Sequence, residues 1–167
     1  MNFDQAFAKV ISHEGGYTND SRDRGNWTTG VVGQGDLKGT KYGISAMAYP
    51  DLDIRNLTVD QAKEIYRRDY WEKLKMDDLP DVVRFDLFDA AVNSGIGNAS
   101  KFLQRAAGVT ADGVIGPKTI AAANAIDPAK LDKRINGHRL MFISAIPTFS
   151  TYGKGWISRV ATNLIED

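Results

Sequence analysis

No cysteine occurs among the 167 residues, so the fold uses neither disulfides nor thiolate metal sites and should tolerate reducing and oxidising compartments alike. Histidine is almost as scarce. His13 and His138 are the only two, and with no HExxH pattern they leave a metal-dependent amidase or peptidase without ligands. No metal and no cofactor are expected. Lys plus Arg number 21, as do Asp plus Glu, and a chain without a basic field gives no argument for nucleic acid. No run approaches the ~20 apolar residues of a membrane span, so membrane insertion is not expected. The opening Met1-Asn2-Phe3-Asp4 has neither a basic n-region nor an apolar h-region. The expectation is a chain made in the cytoplasm that reaches any extracytoplasmic substrate by a borrowed route.

What the chain does contain is ordinary globular material, 43% hydrophobic and 25% charged. That is enough for one buried core and short for two independent domains. One compact monomeric unit with two lobes is expected, residues 1–90 and 91–167, the second packed on the first. Phe3, Ala6, Phe7, Val10 and Ile11 recur at helical spacing and predict an amphipathic first helix. Glu14 lies three residues past Ile11 and continues the apolar stripe. A carboxyl group closing such a stripe is partly desolvated, which raises its pKa and suits it to act as a general acid. A solvated last-turn glutamate is the plainer alternative, although the helix dipole disfavours it. Gly15 and Gly16 then break the helix.

From Gly15 to Gly43 runs a polar segment containing Asp20, Asp23, Trp27, Asp36 and Tyr42, punctuated by five further glycines between Gly16 and Gly43. Such a stretch cannot form a core of its own and predicts a functional loop or a small irregular sheet. Thr58, with Gln61 three residues on, forms a capping box for a helix reaching about Glu72, and Tyr66 and Trp71 on it are either core or sugar-stacking aromatics. Pro80 is expected in the first turn of the next helix. Val82, Val83, Phe85, Leu87, Phe88, Ala90, Ala91 and Val92 cover nearly its whole circumference, so it is expected to be the buried central helix. Asn93-Ser94-Gly95 ends it, with Gly95 in the left-handed cap position and Asn93 either a satisfied core amide or a group presented to a ligand. A helix capped at Asn98 and ended by Gly108 follows, then helices at about 128–145 and 155–165.

Four segments, EGGYTND, DRGNWTTG, GTKYGIS and YRRDYWEKL, together resemble glycoside hydrolase family 108, the N-acetylmuramidases found as phage endolysins and as secretion-associated bacterial muramidases. The resemblance spans essentially the whole chain and implies a mainly α, lysozyme-like fold with a short irregular or β-containing region after the first helix. It also implies Glu14 as proton donor. Hydrolysis of the β-1,4 bond between N-acetylmuramic acid and N-acetylglucosamine needs a second group on the opposite face of the sugar. Asp23 is the first candidate and Asp20 the alternative, and a turn residue capping its own backbone is the plainer reading of Asp23. A third position falls on Thr29 by the spacing of some related phage lysozymes. The family pattern of Thr, then an aromatic and Gly-Ile, aligns better with Thr40-Lys41-Tyr42-Gly43-Ile44, leaving an insertion within 26–38, and favours Thr40. Tyr17, Tyr42, Tyr66 and Asn93 are the expected substrate contacts, and glycan strands of peptidoglycan the expected partner. Release to the wall would need a holin or another pathway.

Leu103-Gln104, Gly108-Val109 and Asp112-Gly113-x-x-Gly116-Pro117-x-Thr119 are similar to the motif of small helical peptidoglycan-binding modules. The motif reads as a tight loop with Pro117 starting a helix. It also keeps open a non-catalytic wall-binding module, which would leave Glu14 and its glycine-rich loop without a purpose.

Overall fold

The computed structural model describes residues 1–13 and 16–166, without the side chain of His13. Glu14, the expected proton donor, thus lies outside the described residues. Among those that are described there are seven α-helices and one small antiparallel pair of strands, the mainly α architecture that the sequence implies. The chain divides into two compact units, Phe3–Asp69 and Met1–Asn2 with Tyr70–Asp167.

In the first unit, α1 (Phe3–His13) buries Phe3, Ala6, Phe7 and Val10 of the expected stripe, while Ile11 is half-buried. Burying each large side chain contributes roughly 1.5–3 kcal/mol. The Phe7 ring lies 5.7 Å from that of Tyr66 on α2 (Val59–Tyr66). Thr58 caps α2 as expected: its hydroxyl accepts from Gln61 N, and Gln61 Oε1 accepts from Thr58 N. The helix does not reach Glu72 in α form, since a π-helical turn, Arg67–Trp71, follows Tyr66.

The polar segment between α1 and α2 forms the small irregular sheet. Strands β1 (Thr40–Lys41) and β2 (Ile44–Ser45) pair Thr40 with Ser45 and Lys41 with Ile44. Single bridges join Thr18 to Thr40 and Trp27 to Leu37. Gly39 cannot be replaced without disturbance, because its φ is +87° and a Cβ there would strike the Thr18 carbonyl and the Tyr17 ring.

In the second unit, α3 (Asp81–Ser94), α4 (Ile96–Ala107) and α6 (Pro128–Ala145) pack on one another. Pro80 stands one position earlier than expected, as N-cap rather than first helical residue. Gly95 ends α3 at φ +86° but ψ 152°, outside the left-handed helical cap expected of it, whereas Gly108 ends α4 in the left-handed region at φ +74° and ψ 27°. Asn98 is not a cap: α4 begins at Ile96, and the Asn98 amide donates back to the Ser94 carbonyl from inside the helix. Helices α5 (Pro117–Asn124) and α7 (Lys154–Glu166) complete the unit.

The central helix α3 is not apolar all round. Val82 is 51% exposed, whereas Asp86 and Asp89 are fully buried. Asp89 Oδ2 pairs with Arg139 Nη2 at 2.7 Å, and Asp89 Oδ1 with Arg159 Nη2 at 2.6 Å. Asn136 on α6 donates to Asp86 Oδ2 at 2.6 Å, and Asn163 on α7 donates to both carboxylates. Burial by itself would raise the Asp89 carboxyl. The Arg139 and Arg159 guanidiniums overcome that and hold it below the ordinary carboxylate range.

Candidate active site

Of the residues expected at the site, Asp20, Asp23 and Thr40 are tied to Asn26. It closes a single 3₁₀ turn, Arg24–Asn26, whose N-cap is Asp23, and its side chain is fully buried. Its Nδ2 donates to the Asp20 carbonyl at 3.0 Å, its Oδ1 accepts from the Thr40 hydroxyl at 2.7 Å, and its backbone carbonyl accepts from Lys38 N and Gly39 N. One buried amide thus ties together the turn that carries Asp20 and Asp23 and the strand that carries Thr40. Asparagine suits this place because its side chain offers donor and acceptor at once.

The candidate second carboxylates differ in what holds them. Asp20 receives both Arg22 Nε and Nη2, at 3.0 and 2.8 Å, together with Arg22 N. The side-chain hydrogen bond from Arg22 is the main cause that lowers its pKa to about 2. Asp23 uses Oδ1 to accept from Gly25 N at 2.8 Å, the turn-capping geometry of an aspartate at such a position. No described residue donates to its Oδ2. Thr29 is taken up within its own loop, its hydroxyl donating to the Gln34 carbonyl at 2.8 Å and accepting from Val31 N. Thr40 has committed its hydroxyl proton to Asn26 and keeps only acceptor capacity.

Three aromatic residues were expected to touch substrate. Tyr17 lies half-buried, its ring against Gly39 and beneath the Arg55 guanidinium, 5.8 Å from the ring centroid. With Lys38, Asp53 and Arg55 it lines a groove of about 350 Å³ whose walls carry both signs of charge. A hydrogen bond from the Asn56 side chain is the main reason the Asp53 carboxyl sits below its ordinary value. Tyr42 and Gly43 form the two-residue turn between β1 and β2, both at positive φ, +52° and +74°. That turn matches the twist of the strands but strains a side-chain-bearing residue. Tyr66 corrects the expectation of a sugar contact. It is 1% exposed, and its hydroxyl donates to the Tyr42 carbonyl at 3.0 Å, so it is a core side chain that holds the strained turn. Trp71 is 1% exposed as well, and its indole donates to Asp77.

Asn93, in the second unit, closes α3 beside a pocket and accepts from the Ser94 hydroxyl at 3.4 Å. The wall-binding motif folds around Gln104, which is 1% exposed. Gln104 Nε2 donates to Asp112 Oδ1 at 2.7 Å and to the Val114 carbonyl, while Oε1 accepts from Gly113 N. The backbone bond from Val114, followed by that from Gln104, lowers the Asp112 pKa. The conspicuous motif is therefore a self-satisfied loop rather than a set of open contacts. Asn26 and the Asp86–Asp89 pair escaped the sequence reading. Asn26 lies in DRGNWTTG with nothing to mark it, while the carboxylates were visible only as two acids at i, i+3 inside an otherwise buried stripe.

A helical body with a small polar hairpin after its first helix is a lysozyme-like fold. A solved structure, Brucella abortus SagA, has the same architecture, with a TM-score of 0.81 and 36% identity over 96% of this chain and 90% of that one. Residues 7–95 match the family model for glycosyl hydrolase 108, and residues 98–161 match a predicted peptidoglycan domain. The chain belongs to the glycosyl hydrolase 108 family. It is a glycosidase that acts on peptidoglycan. The comparison with curated proteins gave no match.

Proposed function

We propose that this protein is an N-acetylmuramidase that cleaves the β-1,4 bond between N-acetylmuramic acid and N-acetylglucosamine, with Glu14 as general acid. The observation that carries the reading is the match over residues 7–95, which includes Glu14 and the Asn26-tied hairpin that follows it in the chain. Protonation of the departing oxygen falls to Glu14. Asp23, whose Oδ2 receives no bond from a described residue, stabilises the developing positive charge or activates water, and Thr40 orients that water by accepting one of its protons. Asp20 is less suited, because Arg22 occupies both its oxygens. Tyr17 and Tyr42 contribute to the sugar-binding surface.

Fragment analysis of digested peptidoglycan tests the bond: muramic acid at the reducing ends supports the assignment, whereas reducing-end glucosamine or free peptide sinks it. General acid catalysis contributes ~10²- to 10⁴-fold, so Glu14→Gln should lose at least a hundredfold in rate while keeping its fold. Asp23→Asn should lower turnover much more than affinity. Equal, mild effects of Asp23→Asn and Asp20→Asn would remove Asp23 from the mechanism. The proposal extends to a monomer that is stored in the cytoplasm and released to the wall, in host lysis through a holin-type partner or in wall remodelling for secretion. Rapid lysis on expression alone, with the inner membrane intact, would overturn that route.

A further inference from the structure

Asp86, Asp89 and Asn93 stand at i, i+3 and i+7 and share one stripe of α3. Asn163 and Arg159 of α7 bond to the first two, at 3.2 Å to Asp86 and 2.8 Å to Asp89. One turn earlier on α7, Trp156 lines the same pocket as Asn93. The buried charges thus fasten α7 to α3, and the pocket is where that seam opens to solvent.

The pocket has a volume of about 330 Å³, at the small end of ligand sites, which begin near ~300 Å³. Phe142, Ile143, Ile146 and Pro147 supply an apolar floor, and Asn93, Ser94 and Thr148 the polar groups. None of its lining residues is charged. Neither the Asn93 Nδ2 nor the Thr148 hydroxyl bonds to a described residue. At its mouth the Trp156 ring stacks on Tyr152, centroids 5.6 Å apart and planes inclined by 29°, although Tyr152 is 56% exposed. A π-helical turn, Phe149–Gly153, delivers Tyr152 to this position. Gly153 is needed within it, because a Cβ there would collide with the Phe149 ring.

We infer that this pocket is a subsite for one neutral N-acetylhexosamine ring, the N-acetylglucosamine of the glycan strand. Its polar and apolar parts match an acetamido group: the methyl meets the floor, the Asn93 amide donates to the carbonyl, and the Thr148 hydroxyl accepts the N–H. The aromatic pair offers a flat face to the apolar side of the sugar. An uncharged lining gives nothing to the lactyl or peptide carboxylates of a substituted muramic acid, which would be desolvated there without a partner. The inference rests on the proposed peptidoglycan substrate and specifies which sugar the second unit holds.

The test uses the full chain carrying Glu14→Gln and titrates it with tetra-N-acetylchitotetraose, following the three tryptophan indole signals by NMR. The Trp156 signal should shift and saturate. Trp156→Ala should weaken binding by about tenfold or more, Tyr152→Ala by about threefold, and Trp156→Phe should bind within about threefold of the parent. Cellotetraose, which has hydroxyl in place of acetamido, should bind at least about tenfold more weakly. An unchanged Kd in a Trp156→Ala variant of normal circular dichroism overturns the subsite, and equal affinity for cellotetraose overturns the acetamido recognition. Loss of the hydrolase reading would look different: sugar binding through Trp156 by a chain that releases no reducing ends from peptidoglycan.

Discussion

Two loops of this chain are each tied around one buried amide, and they differ in what they leave over. Around Gln104, the carboxylate of Asp112 and the backbone of Gly113 and Val114 all turn toward the centre. Around Asn26, the amide fixes Asp20 through its carbonyl and Thr40 through its hydroxyl, while Asp23 Oδ2 and the remaining lone pairs of Thr40 have no described donor. The first loop has the more recognisable motif and the less available chemistry. A motif dense in Gly, Asp and Pro can record how a turn closes, whereas reactive capacity is measured by the polar atoms that closure does not consume.

The largest stability effect should lie outside both loops and set the scale for them. Asp89→Ala leaves Arg139 fully buried without its carboxylate, and removing one partner of such a pair costs about 3–5 kcal/mol. Chemical denaturation measures this, and a loss below about 1 kcal/mol would show that solvent replaces the carboxylate. Next come the two amides. Asn26→Ala and Gln104→Ala each leave buried groups unsatisfied, at about 1–3 kcal/mol apiece. At a temperature where both variants are folded, Gln104→Ala should keep its wall-hydrolysing rate while Asn26→Ala loses on the order of tenfold or more if Thr40 aligns the attacking water as proposed. Equal losses in the two variants would erase the distinction between the loops.

Tyr42→Gly should act more mildly on stability and in the opposite sense. It releases strain of about 1 kcal/mol at a position with φ +52°, so melting should be unchanged or slightly raised, whereas hydrolysis should fall if the ring meets substrate. A variant equal to the parent in both would remove Tyr42 from the sugar surface. The smallest effect belongs to Asp20. Its folded pKa of about 2 lies below the ordinary aspartate value of 3.8, so the stabilisation is present above pH ~4 and lost as the pH falls through about 2. Because the group is exposed, solvent screens the effect. Protection of the Arg22 amide should decline over that window, and Asp20→Asn should abolish the decline.

Elements with a strong local cause were legible in the sequence. The apolar stripe of α1, the capping box at Thr58 and the glycines at 95 and 108 fixed their helices without help from distant residues, and the polar segment before Gly43 was recognisable as a functional loop or a small irregular sheet because nothing in it could form a core. Long-range polar pairing was not legible. Asp86 and Asp89 meet partners 50 to 77 residues away, and no spacing announces such pairs. Tyr66 illustrates the same limit from the other side. Aromatic residues at helical spacing fit a core or a ligand equally well, and only the Tyr42 carbonyl, 24 positions earlier, settles which. Asn26 went unread because its importance comes from four bonds that converge in space, not from its neighbours in DRGNWTTG.

The seam between α3 and α7 also acts as a gauge. Each residue of a helix advances ~1.5 Å and turns ~100°, so a slip of α7 by one position would unmatch Arg159 and Asn163 from both buried carboxylates together. Because no intermediate alignment satisfies those charges, α7 has one permitted setting, which puts Trp156 on the lining of the same pocket as Asn93. Substitutions can retune the ledge at the exposed Tyr152, but a single inserted or deleted residue between Trp156 and Arg159 would turn Trp156 by ~100° out of the pocket while Arg159 and Asn163 kept their buried partners. A mouth whose calibre is set by charges deeper in the same helix pair can thus change its chemistry over time without changing its size.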